Sequence, residues 1–344
     1  MDYTTLGASG ISVSRLALGT MTFGRETSEQ DSFAQLDRFT ELGGNLVDTA
    51  DVYAGGDSEQ IVGRWLARQA PGGRDQIVLA TKARFPTGAG PNDVGLSRKH
   101  LAAALNASLE RLGVETIDLY QVHAYDPYTP LPETMAFLSD AVSAGKIHYA
   151  GLSNFTGWQI QRAVDVAEFR GGAGPVSIQP QYNLLAREIE WEVVPAALAN
   201  GLGILPWSPL GGGWLTGKYS GEQAPSGATR LGDDDALRAR AAGGRGDPSR
   251  VVAIVDAVRE IASDRSASMA QVALAWVLAR PGVTSVILGA RTIDHLNDNL
   301  SAIDVVLTDA EMQRLTAVSA PGASAYPYGE TGIEQHTRRL GGGR

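Results

Sequence analysis

The chain has 344 residues, a hydrophobic fraction of 43% and a formal net charge of −9, from 29 Lys plus Arg against 38 Asp plus Glu. That is enough apolar material for a sizeable core, and the acidic balance argues against a nucleic-acid partner, which would need a basic stripe. There is no cysteine, so disulfides, thiolate nucleophiles and Cys-based metal sites are excluded.

His100, His123, His148, His295 and His336 are scattered along the chain. They form no metal-ligand spacing, so no metal is expected. No charged start precedes an apolar run, and no apolar stretch reaches the roughly 20 residues of a membrane span. The expected location is the cytoplasm, with no membrane partner.

In chain order, residues 3–6 and 11–13 read as a hairpin around Gly7-Ala8-Ser9-Gly10. Strand-like runs follow at 15–18, 45–48, 77–81, 117–122, 147–151, 176–179, 202–206 and 285–288. Helical patterns fill the gaps at 29–42, 58–68, 98–112, 132–144, 157–169, 187–200, 251–262 and 268–279. Ser28, Ser97, Thr156 and Ser268 stand where N-caps belong, and Gly43, Gly113, Gly145 and Gly201 where C-caps belong. Eight alternating βα units predict an α/β fold, a (β/α)8 TIM barrel with an N-terminal capping β-hairpin. A doubly wound open sheet is the alternative. No linker divides the chain, so residues 1–344 are expected to form one domain. Two segments break the rhythm: 211–250, rich in Gly, Ala, Asp and Arg (Arg230 and Arg238 among them), and the tail 320–344. Connections of this length usually act as lids or binding loops, or are disordered. The first is expected to become more ordered around a cofactor.

Almost every predicted strand ends in a polar or aromatic residue. The second gives Asp48, with Tyr53 five residues later; the third gives Lys82 and the fourth His123. Ser153 and Asn154 follow the fifth, Gln179 ends the sixth, Trp207 and Ser208 follow the seventh, and Gly289, Ala290 and Arg291 the eighth. In a (β/α)8 barrel these ends share one face, where active sites are built. Asp, Tyr, Lys and His together suit carbonyl reduction. Hydride addition leaves an alkoxide that needs a proton, and tyrosine can supply it. The reference pKa of tyrosine, about 10, is high, and a nearby ammonium lowers it. Asp48 can partner that ammonium, and a neutral His123 can orient the carbonyl. Singly, Asp48 and Lys82 read as a barrel ion pair, Tyr53 as a rim aromatic and His123 as a structural histidine. Only their conjunction on successive strand ends points to general acid catalysis.

Gly212-x4-Gly217-Lys218 has the look of a phosphate-binding loop, but Tyr219 stands where Ser or Thr would hold magnesium. No G-x-G-x-x-G follows a strand, so a Rossmann site is not supported.

The segments NLVDTADVYAGGDSE, IVLATK, IDLYQVHAYD, IHYAGLSNF, IQPQYNLL, LPWSPLGGGWLTGKY and VILGARTIDHLNDN resemble, in order, the signatures of the aldo-keto reductase superfamily. The likeness covers residues 1 to about 318 and is greatest to the bacterial and potassium-channel-β-like branch, which carries LSNF, WSPL and GKY. The resemblance implies a catalytic tetrad of Asp48, Tyr53 as proton donor, Lys82 and His123, and NADPH extended across the barrel mouth. It assigns Ser153, Asn154 and Gln179 to the carboxamide and Trp207 to the nicotinamide ring. Ser208, Leu210 and Gly212, with Lys218 close by, would meet the pyrophosphate. Gly289, Ala290 and Arg291 would lie at the 2′-phosphate and Asn299 at the adenine. His295 departs from the Gln of many relatives near the adenine ribose, and His148 from their Arg.

The function this implies is NADPH-dependent reduction of aldehydes or ketones to alcohols, with a small-molecule carbonyl substrate. Alternatives are a reductase of nucleotide-linked keto-sugars and a cofactor-binding regulatory subunit. Substrate contacts are expected near Phe23, Tyr125 to Tyr128, Trp214, Tyr326 and Tyr328.

Overall fold

The computed structural model describes residues 1–219, 248–322 and 327–328. It opens with an antiparallel hairpin, β1 (Tyr3–Thr5) and β2 (Ser12–Ser14), paired from Tyr3↔Ser14 to Thr5↔Ser12. Eight strands follow: β3 (Leu16–Gly19), β4 (Leu46–Asp48), β5 (Val78–Ala83), β6 (Ile117–Val122), β7 (Ile147–Ser153), β8 (Pro175–Gln179), β9 (Gly203–Ile204) and β10 (Val286–Leu288). They form one parallel sheet in the order β10-β3-β4-β5-β6-β7-β8-β9. The ring closes where β9 meets the approach to β10. Ile204 N donates to Gly282 O at 3.0 Å, Thr284 N to Ile204 O at 2.8 Å, and Ile287 N to Pro206 O at 3.0 Å. The fold is therefore the barrel with its capping hairpin, and not an open doubly wound sheet.

The helices are α1 (Glu29–Glu41), α2 (Asp57–Leu66), α3 (Arg98–Leu112), α4 (Leu131–Ser143), α5 (Gly157–Arg170), α6 (Val193–Ala199), α7 (Pro248–Arg265), α8 (Met269–Leu278), α9 (Ile293–Leu300) and α10 (Asp309–Val318). Ser28, Ser97, Thr156 and Ser268 cap α1, α3, α5 and α8, the last two in reciprocal boxes with Gln159 and Gln271. These boxes satisfy backbone N–H groups that a helix start leaves orphaned. The helical pattern at 187–200 is broken in the structure. A 3-10 turn covers Glu188–Glu190, and α6 starts only at Val193. Pro195 is the reason, because a ring without an N–H fits only the first turn. The predicted helical patterns stop at residue 279, so α9 and α10 are additional; α9 spaces Ile293, Leu296 and Leu300 at helical intervals, but its 8 residues give the periodicity little length to show in.

Two apolar layers hold the barrel. The larger lies between strands and helices and includes Leu16, Val47, Leu79, Tyr120 and Trp276. The smaller fills the interior with Ala17, Leu46, Ala80, Leu119, Leu205 and Ile287, plugged from below by Leu6 and Val13 of the hairpin. Gly7 seats that plug. It sits at φ +58°, and a Cβ there would lie 2.5 Å from the carbonyls of Gly201 and Val176.

Strand alternation then sets the top of the interior. Leu46, Ala80 and Leu119 point inward, so Asp48, Lys82 and Gln121, two residues on, do the same one layer higher. Lys82 pairs in register with Gln121, and Ser153 with Gln179. The apolar filling thus ends in a polar layer at the C-terminal rim.

Of the predicted loop 211–250, residues Gly211–Thr216 form a tight 3-10 segment and α7 already begins at Pro248. Residues 220–247, with Arg230 and Arg238, lie outside the described residues. So do Tyr326, His336 and most of the tail.

Candidate active site

The polar layer converges on one buried ammonium. Lys82 is fully buried and donates to Asp48 Oδ2 at 2.6 Å and to Thr49 O at 2.7 Å. Its third contact is the Tyr53 hydroxyl at 3.4 Å, and its Nζ lies 5.0 Å from the Tyr53 ring centre. Burial pulls the pKa of this lysine down. The Asp48 charge, the Asp48 hydrogen bond and Tyr53 more than offset that, and the net direction is upward. The ammonium stays charged beside the phenol. Tyr53 is carried here by a 3-10 turn, Tyr53–Gly56, that leads from β4 into α2.

Asp48 is held from both sides. Its Oδ1 accepts from Gln121 Nε2 at 3.1 Å and Gln179 Nε2 at 2.9 Å, and Gln179 also donates to Gln121 Oε1 at 3.2 Å. Three hydrogen bonds satisfy a carboxylate that is 3% exposed, and buried charge demands that. Gly151 makes the room, since a Cβ there would meet Gln121 Cγ at 2.9 Å and Ser177 Oγ at 2.7 Å.

His123 is buried beside this group. Its ring stands edge-on to Tyr53 at 5.9 Å and to Phe85 at 4.7 Å. Burial first, then the charges of Lys82 and Arg84, hold its pKa well below the usual histidine value, so the imidazole is neutral near pH 7. The four residues expected to form a tetrad are thus brought together.

The residues assigned by resemblance to the nicotinamide lie on the neighbouring arc. Ser153 Oγ donates to Gln179 O at 2.9 Å. Asn154 Nδ2 donates to His123 O and Ser153 Oγ, and its Oδ1 accepts from Trp207 Nε1 at 3.1 Å. Asn154 and Ser208 both adopt φ of 54°, a left-handed conformation costly for residues other than glycine. Asn183 Nδ2 pins Ser208 through its carbonyl at 2.9 Å. Such strain persists where surrounding contacts impose it. Leu210 caps the 3-10 segment and Gly212 lies within it, at φ 69°.

A third cluster sits past β10. Arg291 and Lys218 are close enough that each charge acts on the neighbourhood. Partial burial and then Arg291 lower the pKa of Lys218, and burial followed by both cations lowers that of His295. Among the described residues neither cation has an acidic partner in an ion pair. A Cβ on Gly289 would meet nothing within 4 Å, and Asn299 holds the Gly289 carbonyl at 3.4 Å. Unpaired cations beside open backbone and the N-terminus of α9 fit a phosphate group. The residues present therefore fit a nicotinamide dinucleotide: amides with Trp207 beside them in one cluster, and unpaired cations in another. No group of three or more His, Cys, Asp or Glu among the described residues could hold a metal.

Some residues stand apart from the expected pattern. Phe23 is fully buried, and Trp214 is 7% exposed and packed on Tyr219 at 5.2 Å. Tyr328 stacks on Trp191. His148 lies 3.9 Å from Asp118, away from the tetrad. Gln121, Arg84 and Phe85 were missed from the sequence. The signal for Gln121 was a polar residue two before His123, on the same strand face.

The chain is similar to known proteins along most of its length. The sequence model described as "Aldo/keto reductase family" matches residues 15–320. The uncharacterized oxidoreductase YrpG of Bacillus subtilis is 39% identical, across 96% of this chain and 98% of that protein. The probable voltage-gated potassium channel subunit beta of Oryza sativa subsp. japonica is 36% identical, across 92% of this chain and 96% of its own length. The versiconal hemiacetal acetate reductase of Aspergillus parasiticus is 35% identical, across 94% and 98%.

Proposed function

Because the chain belongs to the aldo/keto reductase family, we propose that it reduces aldehydes or ketones to alcohols with NADPH, using Tyr53 as the general acid. When bound, the dinucleotide supplies the hydride. The observation that carries the reading is the Lys82 ammonium standing between Asp48, at 2.6 Å, and the Tyr53 hydroxyl, at 3.4 Å.

Tyr53 donates its proton to the oxygen that gains charge as the carbonyl carbon is reduced. Lys82 stabilises the phenolate left behind. Asp48, fixed by Gln121 and Gln179, keeps the ammonium in place. Neutral His123 donates a hydrogen bond to the same carbonyl oxygen and orients it. Ser153, Asn154 and Gln179 hold the carboxamide, and Trp207 provides a flat face for the nicotinamide. Lys218 and Arg291 take the phosphates, and the Arg291 guanidinium selects for the one that distinguishes NADPH.

The test is NADPH oxidation, followed at 25 °C against a panel of simple aldehydes and nucleotide-linked keto-sugars. Turnover of the simple aldehydes supports the reading, and turnover of the sugars alone moves the chain to sugar biosynthesis. Likeness to proteins named channel β subunits supports a second reading, a cofactor-binding regulatory subunit. Tight NADPH binding, turnover slower than one per minute and a stable protein partner would favour it.

A further inference from the structure

Arg84 follows β5 directly, two residues after Lys82, and the chemistry above makes no use of it. Its side chain is half-buried, and its Nε is fully buried with no hydrogen-bond partner. Among the described residues the side chain makes one hydrogen bond, a long one of 3.4 Å from Nη2 to Tyr125 O. No acid among them forms an ion pair with it. Asp126 feels the Arg84 charge but is committed elsewhere. It accepts from Leu96 N at 2.8 Å, Thr129 Oγ1 at 2.6 Å and Tyr128 N at 3.0 Å. A guanidinium offers five donors in a planar fork. Keeping most of them idle in a half-buried place is costly unless an anion takes them.

The location says whose anion it would be. The guanidinium carbon lies 5.1 Å from the Phe85 ring centre, and that ring is 4.7 Å from the ring of His123. Arg84 is thus no further from His123 than those two legs together, with an apolar ring between them. The residues that fit the dinucleotide lie on β7 to β10, whereas Arg84 belongs to the arc of β5 and β6. An anion here comes with the substrate and not with the cofactor.

We propose that Arg84 is a specificity-determining residue that binds a carboxylate on the carbonyl substrate. The preferred substrates are then oxo acids whose carboxylate is separated from the aldehyde or ketone by a spacer about as wide as a ring. The planar fork matches a carboxylate in two parallel hydrogen bonds, and Phe85 gives the spacer an apolar wall. This inference rests on the proposed carbonyl reduction at Tyr53.

The experiment compares kcat/KM for 4-carboxybenzaldehyde and its neutral analogue, methyl 4-formylbenzoate. It uses the parent, Arg84→Gln and Arg84→Lys, each with NADPH at low salt. Arg84→Gln should lower the acid-to-ester ratio at least about tenfold, as loss of a hydrogen bond to a charged group does, and Arg84→Lys should restore part of it. Because each enzyme is its own control through the ester, a general loss of folding cancels. A ratio moved by less than threefold in Arg84→Gln would overturn the proposal, as would equal losses on both substrates, which assign Arg84 to His123 instead. Turnover of neither aldehyde would count against the reductase reading. Direct binding of 4-carboxybenzaldehyde, by fluorescence titration of parent and Arg84→Gln, then decides Arg84 separately. At least tenfold weaker binding in the variant supports the carboxylate site, and equal affinity sinks it.

Discussion

Gln179 reaches across the barrel mouth to donate a 2.9 Å hydrogen bond to Asp48 Oδ1, joining residues 131 positions apart. The residue fitted to the nicotinamide carboxamide and the residue that holds the buried ammonium are therefore one network, and Gln121 bonds to both. Gln121→Leu removes one donor from a buried carboxylate while leaving Lys82 and Gln179 in contact with it. A hydrogen bond to a charged group contributes about 1.5–3 kcal/mol, so kcat should fall by about tenfold or more. NADPH affinity should change little, since among the described residues the Gln121 side chain hydrogen-bonds only to Asp48 and Gln179. A changed Kd with an unchanged kcat would mean Gln121 serves the cofactor and not the ammonium.

Tyr53→Phe should abolish most carbonyl reduction and leave NADPH binding nearly intact. The hydroxyl stands 3.4 Å from the Lys82 ammonium at the rim. Loss of a positioned general acid costs roughly 10²–10⁴-fold in rate. Steady-state turnover measured beside cofactor fluorescence checks both halves. Activity within threefold of the parent would remove Tyr53 from the mechanism.

Lys82→Met should lower turnover and flatten the pH dependence carried by the tyrosine, because the stabilising charge is gone. It also leaves Asp48 as an uncompensated buried carboxylate, so a lower melting temperature should accompany the effect. Asp48→Asn should act in the same direction, more mildly, through a less firmly held lysine. An unchanged rate and pH profile in Lys82→Met would reduce the pair to a structural ion pair.

Arg291→Ala should weaken NADPH binding at least about tenfold and leave NADH almost untouched. The guanidinium stands beside Lys218 past β10, with no acidic ion-pair partner among the described residues. A charge-assisted contact to phosphate contributes about 1.5–3 kcal/mol, and about 1.4 kcal/mol is tenfold in Kd. Equal losses for both cofactors would show that Arg291 supports the loop instead.

The barrel was legible because eight apolar runs alternate with helical patterns, and the caps Ser28, Ser97, Thr156 and Ser268 mark where helices begin. The gathering of Asp48, Lys82 and His123 was legible because a barrel puts all strand ends on one face. What escaped depended on side-chain direction. Gln121 sits inside β6, where an inward polar residue shows only once the strand phase is known. Arg84 lies one residue past the end of β5, and its lack of an acidic partner among the described residues is a property of the packed structure. Phe23 and Trp214, near which substrate contacts are expected, are both buried. An aromatic residue in a loop has no sequence mark that separates wall from core.

Asp51 lies two residues before Tyr53, is 3% exposed, and among the described residues neither of its carboxyl oxygens has a partner in hydrogen-bond geometry. Burial, then the charge of Glu59, pushes its pKa up from 3.8 to about 7. The folded state therefore binds a proton that the unfolded chain has already released between pH 4 and 7. Linkage then requires stability to fall as pH rises through that window and to stay at its lower value above it. The full cost is at most about 4 kcal/mol, at 1.36 kcal/mol per pKa unit. Asp51→Asn has nearly the same shape as the protonated acid and cannot ionise. It should be more stable than the parent at pH 8, with the advantage shrinking steadily as pH is lowered to 5. Urea unfolding of both proteins at pH 5, 6, 7 and 8 measures the difference directly. Equal stability at pH 8, or a gap independent of pH, would mean that Asp51 finds a partner in solution and remains an ordinary carboxylate.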